Sequence, residues 1–117
     1  MKHLTGSIVA LAAILTASAP AGAASFNCRY AASPAEVAIC NSGQLHQLDE
    51  EMASIYFGLK ADLPRDGVWD LKQGQRRFIA RRDACGYSKG CISAAYQNRI
   101  DRMCSLADDY GLDCQDY

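Results

Sequence analysis

Leu45, Leu48, Met52, Ile55 and Leu59 recur at intervals of three and four residues. That spacing lays a single apolar seam along a helix and predicts one over 43–63, with Asp49, Glu50 and Lys60 largely off the seam. Pro64-Arg65-Asp66-Gly67 breaks the pattern and predicts a turn. From Asp66 or Val68 to Cys85, a helical projection puts Leu71, Phe78, Ile79 and Cys85 on one face with Val68 beside them. Gln75 and Arg82 fall on that same face. Arg82 is therefore expected to be at least half buried and to need a partner, for which Glu36 and Asp49 are the candidates. Arg76, Arg77 and Arg81 fall on the other side. A last helix is predicted over 90–110, with Ile92, Tyr96, Ile100, Met103 and Ala107 as its seam, Leu106 and Tyr110 alongside, and Gly111 as its C-cap. Ahead of all three, Ser33-Pro34-Ala35-Glu36 reads as a capping box that starts a short helix ending near Cys40. No β-alternating stretch, repeat or low-complexity segment interrupts this order. The predicted fold is all-α: a small helical bundle of one short and three longer helices.

The first residues follow a different pattern. Lys2 precedes an apolar run from Leu4 to Leu15, and Ala21-Gly22-Ala23 then supplies a small-residue cleavage site. This is the pattern of a secretory signal peptide over 1–23, leaving a mature domain of 24–117. Ala17-Ser18-Ala19 also fits the cleavage rule but would place Pro20 first in the mature chain. The run is short for a bilayer span, no second one follows, and no lipobox cysteine adjoins it. The expectation is a periplasmic or secreted bacterial protein without stable membrane insertion.

All six cysteines fall in the mature part. An even count behind a signal peptide implies a disulfide framework, which a domain this small needs because its core alone is marginal. Six cysteines allow 15 pairings. The sequential one, Cys28–Cys40, Cys85–Cys91 and Cys104–Cys114, closes only short loops and is the expectation. There is neither a Cys-x-x-Cys pair nor a Cys/His cluster, so no metal site and no cofactor are expected.

Charge and chemistry narrow the function further. Without Lys2 the chain carries eleven basic and thirteen acidic residues, a net of −2, too mild to imply nucleic acid. The mature chain has one histidine, His46. Asp49, Glu50 and Glu51 are adjacent on a helix and point apart, so they do not flank one bond. No catalytic set results, and no enzyme is expected. Arg76, Arg77 and Arg81 read in two ways: a strip that grips an anion, lipid headgroup or acidic partner, or a solvated face paired with the acidic second helix. The second reading is preferred. Trp69, off the apolar face, is either a bundle-end cover or an exposed anchor. Asp108, Asp109, Asp113 and Asp116 crowd the C-terminus.

Several segments in this order resemble the LprI-type lysozyme-inhibitor domain, a small secreted helical family of bacteria. They are Phe26-Asn27-Cys28, Ser33-Pro34 with Glu36 and Ile39-Cys40; Leu48-Asp49 with Tyr56; Gln75-Arg76, Phe78 and Arg82-Asp83-Ala84-Cys85 with Cys91; and Ala95-Tyr96 with Arg99-Ile100. Relatives often carry Trp where this chain has Phe78, Cys104 and Cys114 lie beyond the usual core, and the founding member is lipid-anchored. The resemblance implies the helical fold, two disulfides and lysozyme inhibition without chemistry. The partner would be a c-type lysozyme or other cationic muramidase, steered by the four C-terminal aspartates. The alternative is an envelope structural or chaperone-like module that binds another protein through Trp69 and the arginine strip.

Overall fold

The computed structural model describes residues 25–117. The segment assigned to the signal peptide lies outside the described residues. A 3₁₀ turn (Cys28–Tyr30) leads into α1 (Pro34–Cys40), α2 (Gly43–Asp62), α3 (Arg65–Ala84) and α4 (Lys89–Asp109), and a second 3₁₀ turn (Cys114–Asp116) closes the tail. The chain is an all-helical bundle stapled by three disulfides, as the hydrophobic pattern predicts.

Each boundary has a local cause. Ser33 Oγ accepts from the Glu36 backbone N–H while the Glu36 carboxylate accepts from that of Ser33, a complete capping box with Pro34 in the first turn. Ser42 and Ser88 cap α2 and α4 through their hydroxyls. At the α2–α3 junction Leu63 precedes a proline and is driven to extended backbone, ψ 147°. The turn is complete there, so α3 starts at Arg65, inside the predicted break at 64–67 and ahead of the expected start at Asp66 or Val68. The Pro64 carbonyl accepts from Val68 at 2.9 Å, and Gly67 lies buried within the first turn. A Cβ on Gly67 would come within 3.2 Å of the Leu63 and Tyr110 side chains, so glycine there lets the start of α3 approach the end of α4. Gly86 and Gly111, after α3 and α4, sit at φ 59° and 72°, where a side chain would be strained.

α4 is the centre of the bundle, packing along both α2 and α3. It runs parallel to α2 and antiparallel to α3. α1 and the segment before it fill the gap between α2 and α3 at the end away from Pro64. Ile39, Leu45, Met52, Leu59, Leu71, Phe78, Ile92, Tyr96 and Met103 form the core. Two residues expected on apolar faces are not in it: Tyr110, alongside the α4 seam, is exposed at the end of that helix, and Ile79 is exposed on α3. Ile79 is the clearer departure. It stands at the edge of its face, where the α2–α3 groove is only partly roofed by Phe26 and Glu36.

The disulfides join Cys28 to Cys40, Cys85 to Cys91 and Cys104 to Cys114. The first ties the leading 3₁₀ turn to the end of α1, the second spans the α3–α4 turn, and the third folds the tail onto α4. Closing loops of this size stabilises a chain by about 2–3 kcal/mol each in the chain-entropy model.

Candidate functional site

Three polar regions stand out, and α4 connects them. The first is a buried knot around Tyr96. Its phenol donates to Asp49 Oδ1 at 2.7 Å, and Asp49, which has no exposed surface, also accepts from the Ser25 hydroxyl (2.6 Å) and backbone N–H (3.1 Å). Burial first, and the Asp49 carboxylate second, push the Tyr96 phenol far above its ordinary range, so it stays a donor. Arg82 lies on the other side of that phenol. The expectation that Glu36 or Asp49 pairs with Arg82 is corrected here. Its ion-pair partner is Asp83, whose Oδ1 accepts from Arg82 Nε (3.1 Å) and Nη2 (3.0 Å) and from Ser33 Oγ (3.2 Å). Adjacent residues on a helix point apart, but the long arginine folds back to its neighbour, while Asp49 is occupied by three hydrogen bonds from Tyr96 and Ser25. Glu36 is committed to its cap. The Arg82 guanidinium also lies 5.5 Å from the Phe26 ring centroid and 6.0 Å from that of Phe78. Burial works against its charge, but Tyr96 and Asp83 outweigh burial and hold it above its ordinary value.

The second region is a cleft between α3 and α4, with a volume of about 260 Å³. Arg77 and Arg81 from α3 and Arg99 and Arg102 from α4 line it, with Asn98 between them and Asp70 and Asp109 also on its wall. The expected pairing of the α3 arginines with α2 does not occur. Arg77 and Arg81 face α4, and Arg81 Nη1 donates to Asn98 Oδ1 at 2.9 Å. On α2, Glu50 instead holds His46 at 2.9 Å. The strip is also divided: on a helical projection Trp69 and Arg76 share one face of α3, and Arg77 and Arg81 share the neighbouring one.

Arg99 is the residue that the sequence reading missed. It is 5 % exposed, yet its partners are neutral: Nε donates to Gln75 Oε1 and Nη2 to the Leu71 carbonyl, both at 2.9 Å. Gln75 in turn reaches Met52 Sδ at 3.4 Å and so links all three long helices. Gly74 makes the site possible, since a side chain there would collide with Arg99 Nη1. Burial, with Arg77 and Arg102 nearby and only Tyr56 in opposition, lowers the Arg99 guanidinium to about 10. A signal was present in the sequence: Arg99 lies seven residues after Ile92 and four before Met103, on the apolar seam itself.

The third region is an acidic end. Asp62 closes α2, Asp66 and Asp70 lie in the first turns of α3, Asp108 and Asp109 close α4, and the Cys104–Cys114 staple brings Asp113 and Asp116 alongside. Lys60 and Arg65 are the basic residues of the same turns. Asp108, Asp109, Asp113 and Asp116 are all exposed, and none lies in an ion pair among the described residues. Asp113 caps the last 3₁₀ turn through the Gln115 N–H, and the Tyr117 phenol donates to Asp62 at 2.7 Å. Trp69 projects from α3 near this end, 63 % exposed.

Among the described residues no cluster of His, Cys, Asp and Glu is placed to hold a metal ion, and no helix is long and apolar enough to cross a membrane. No curated protein and no solved structure matches the chain. The family model for the lysozyme inhibitor LprI does match, over residues 28–111, from the first cysteine to the glycine that ends α4, and the chain belongs to that family.

Proposed function

We propose that the mature chain, 24–117, is an extracytoplasmic inhibitor that binds a cationic lysozyme and occludes its cleft, with no catalysis of its own. The observation that carries this reading is the acidic end of a chain in the LprI family. Asp108 and Asp109 stand in the last turn of α4 without a basic residue beside them. That is the negative end of the helix dipole, where each carboxylate costs about 0.3–1 kcal/mol at low salt. Asp113 and Asp116 are stapled next to them. An arrangement that repels itself and forms no ion pair among the described residues suits a basic partner, which it would steer and then pair with. Trp69 supplies an exposed aromatic surface close by, the residue type most often found at the energetic centre of an interface. The disulfides consume every described cysteine, so no thiol remains for nucleophilic chemistry.

The test is inhibition of cell-wall digestion. Oxidised 24–117, titrated into c-type and g-type lysozymes, is expected to inhibit one type saturably and less well as salt rises. Joint replacement of Asp108, Asp109, Asp113 and Asp116 by Asn is expected to weaken inhibition by an order of magnitude or more. No inhibition at concentrations on the order of tens of micromolar, by a chain shown to be helical and thiol-free, would overturn this reading. The alternative, an envelope module gripping another protein through Trp69 and the arginine strip, would then take its place. The division of that strip between two faces of α3 counts against it.

A further inference from the structure

The α3–α4 cleft is unlike the rest of the molecule in how its charges are balanced. Four guanidinium groups converge on it from two helices, and among the described residues none of the four has a carboxylate within 4.0 Å. What they have instead is neutral oxygen. Asn98 Oδ1 accepts from Arg81 Nη1 at 2.9 Å and from Arg102 Nε at 3.2 Å, so one amide oxygen holds two cations together. Arg99 is held from behind by Gln75 and the Leu71 carbonyl. Asp70 and Asp109 are on the wall but form no ion pair, which leaves the cleft at a formal +2.

Such a cluster is self-repelling, and the repulsion is strongest at Arg99, which is out of water. Like charges that face solvent separately can swing apart. Here the exposed Asn98 joins Arg81 and Arg102 through one oxygen, and the buried Arg99 is held in place under Gly74. We propose that the cleft is a binding site for a phosphate-class oxyanion, gripped by Arg77, Arg81 and Arg102 over a floor made by Arg99. The number of donors selects the ligand. A carboxylate has two oxygens in one plane, and one guanidinium fork satisfies them. Guanidinium groups arriving from two helices fit a tetrahedral dianion, which presents oxygens in several directions and enough charge to offset the cleft's excess. The volume admits a phosphoryl group with a small substituent. The inference does not rest on lysozyme inhibition, although Asp109 borders both the cleft and the acidic end.

The experiment follows the full oxidised protein by NMR, reading the arginine Nε–H signals and the Asn98 side-chain amide while inorganic phosphate is added at constant ionic strength. Acetate and chloride serve as controls. Phosphate is expected to bind with a dissociation constant below about 1 mM and to shift the Arg99 and Asn98 signals, whereas acetate binds at least tenfold more weakly. Joint replacement Arg77→Ala and Arg81→Ala should abolish saturation. Arg76→Ala, one residue away but outside the cleft, should leave it unchanged, and Asp109→Asn should tighten it several-fold. Two results would overturn the proposal: phosphate binding no better than acetate, or Arg76→Ala costing as much as the cleft pair, which would mean diffuse surface charge. Vesicles containing phosphatidylglycerol, with and without competing inorganic phosphate, separate the sources. Arginine-dependent co-sedimentation that phosphate displaces assigns a lipid headgroup, and its absence beside soluble binding assigns a soluble phosphoryl ligand.

Discussion

Arg82 and Arg99 are both buried arginines on the inner faces of adjoining helices, each 5 % exposed, yet their surroundings are opposite. Arg82 has a carboxylate, a phenol and two aromatic rings around it, and its charge is stabilised. Arg99 has an amide oxygen, a backbone carbonyl and two further arginines, and its charge is disfavoured. Burial cannot tell the two apart; the charges that come with burial can. The Arg82 environment is electrostatically complete within the fold. The Arg99 environment is complete in hydrogen bonds and incomplete in charge.

Substitutions should separate them. Arg82→Met, which leaves Asp83 and the Phe26 ring without their cation, is expected to cost about 3 kcal/mol in a urea melt. Gly74→Ala forces Arg99 out of its seat and should cost about 2 kcal/mol, with loss of phosphate binding. Arg99→Met exchanges a desolvated, repelled charge for a chain of similar length. It should cost about 1 kcal/mol or less, because the lost hydrogen bonds are balanced by relief of the buried charge. Equal losses for the two methionine variants would end the contrast. Asn98→Asp supplies from within the carboxylate that the cleft lacks. It should stabilise the protein by about 0.5 kcal/mol and abolish phosphate binding, read by the same melt and titration. The last effect is confined to alkali. Tyr96, neutral in the fold and held up by burial and Asp49, contributes stability that is intact below its unfolded pKa of about 10 and is lost as pH climbs beyond it. Phenolate absorbance should show Tyr96 ionising only with unfolding, and Tyr96→Phe should remove that step while lowering stability at neutral pH too, because buried Asp49 loses a donor.

The same contrast marks what could be read in the sequence. Helix number, order and most ends were legible because Pro34, Pro64 and Gly111 act through backbone geometry alone, and the seam residues repeat at helical spacing. Arg82 stood out as a charge on an apolar face, but its partner did not. Glu36 was already committed to a cap and Asp49 to Tyr96, and such competition for one oxygen is decided in three dimensions. Arg99 carried the same signal as Arg82, a charge at helical spacing within an apolar seam, between Ile92 and Met103. The cleft was not legible because it depends on α3 facing α4 rather than α2, and hydrophobic periodicity gives each helix a face without naming its neighbour. Ile79 was misplaced for the same reason: the pattern marks an apolar edge but not whether another element covers it.

The three disulfides have a consequence for biogenesis. Every bridge joins a cysteine to the next one along the chain, across separations of 12, 6 and 10 residues. For a polypeptide delivered N-terminus first into an oxidising compartment, each thiol meets its correct partner before the following pair has emerged. An oxidase that joins consecutive thiols as they appear thus produces the one native connectivity among the 15 that six cysteines allow, and no reshuffling enzyme is required.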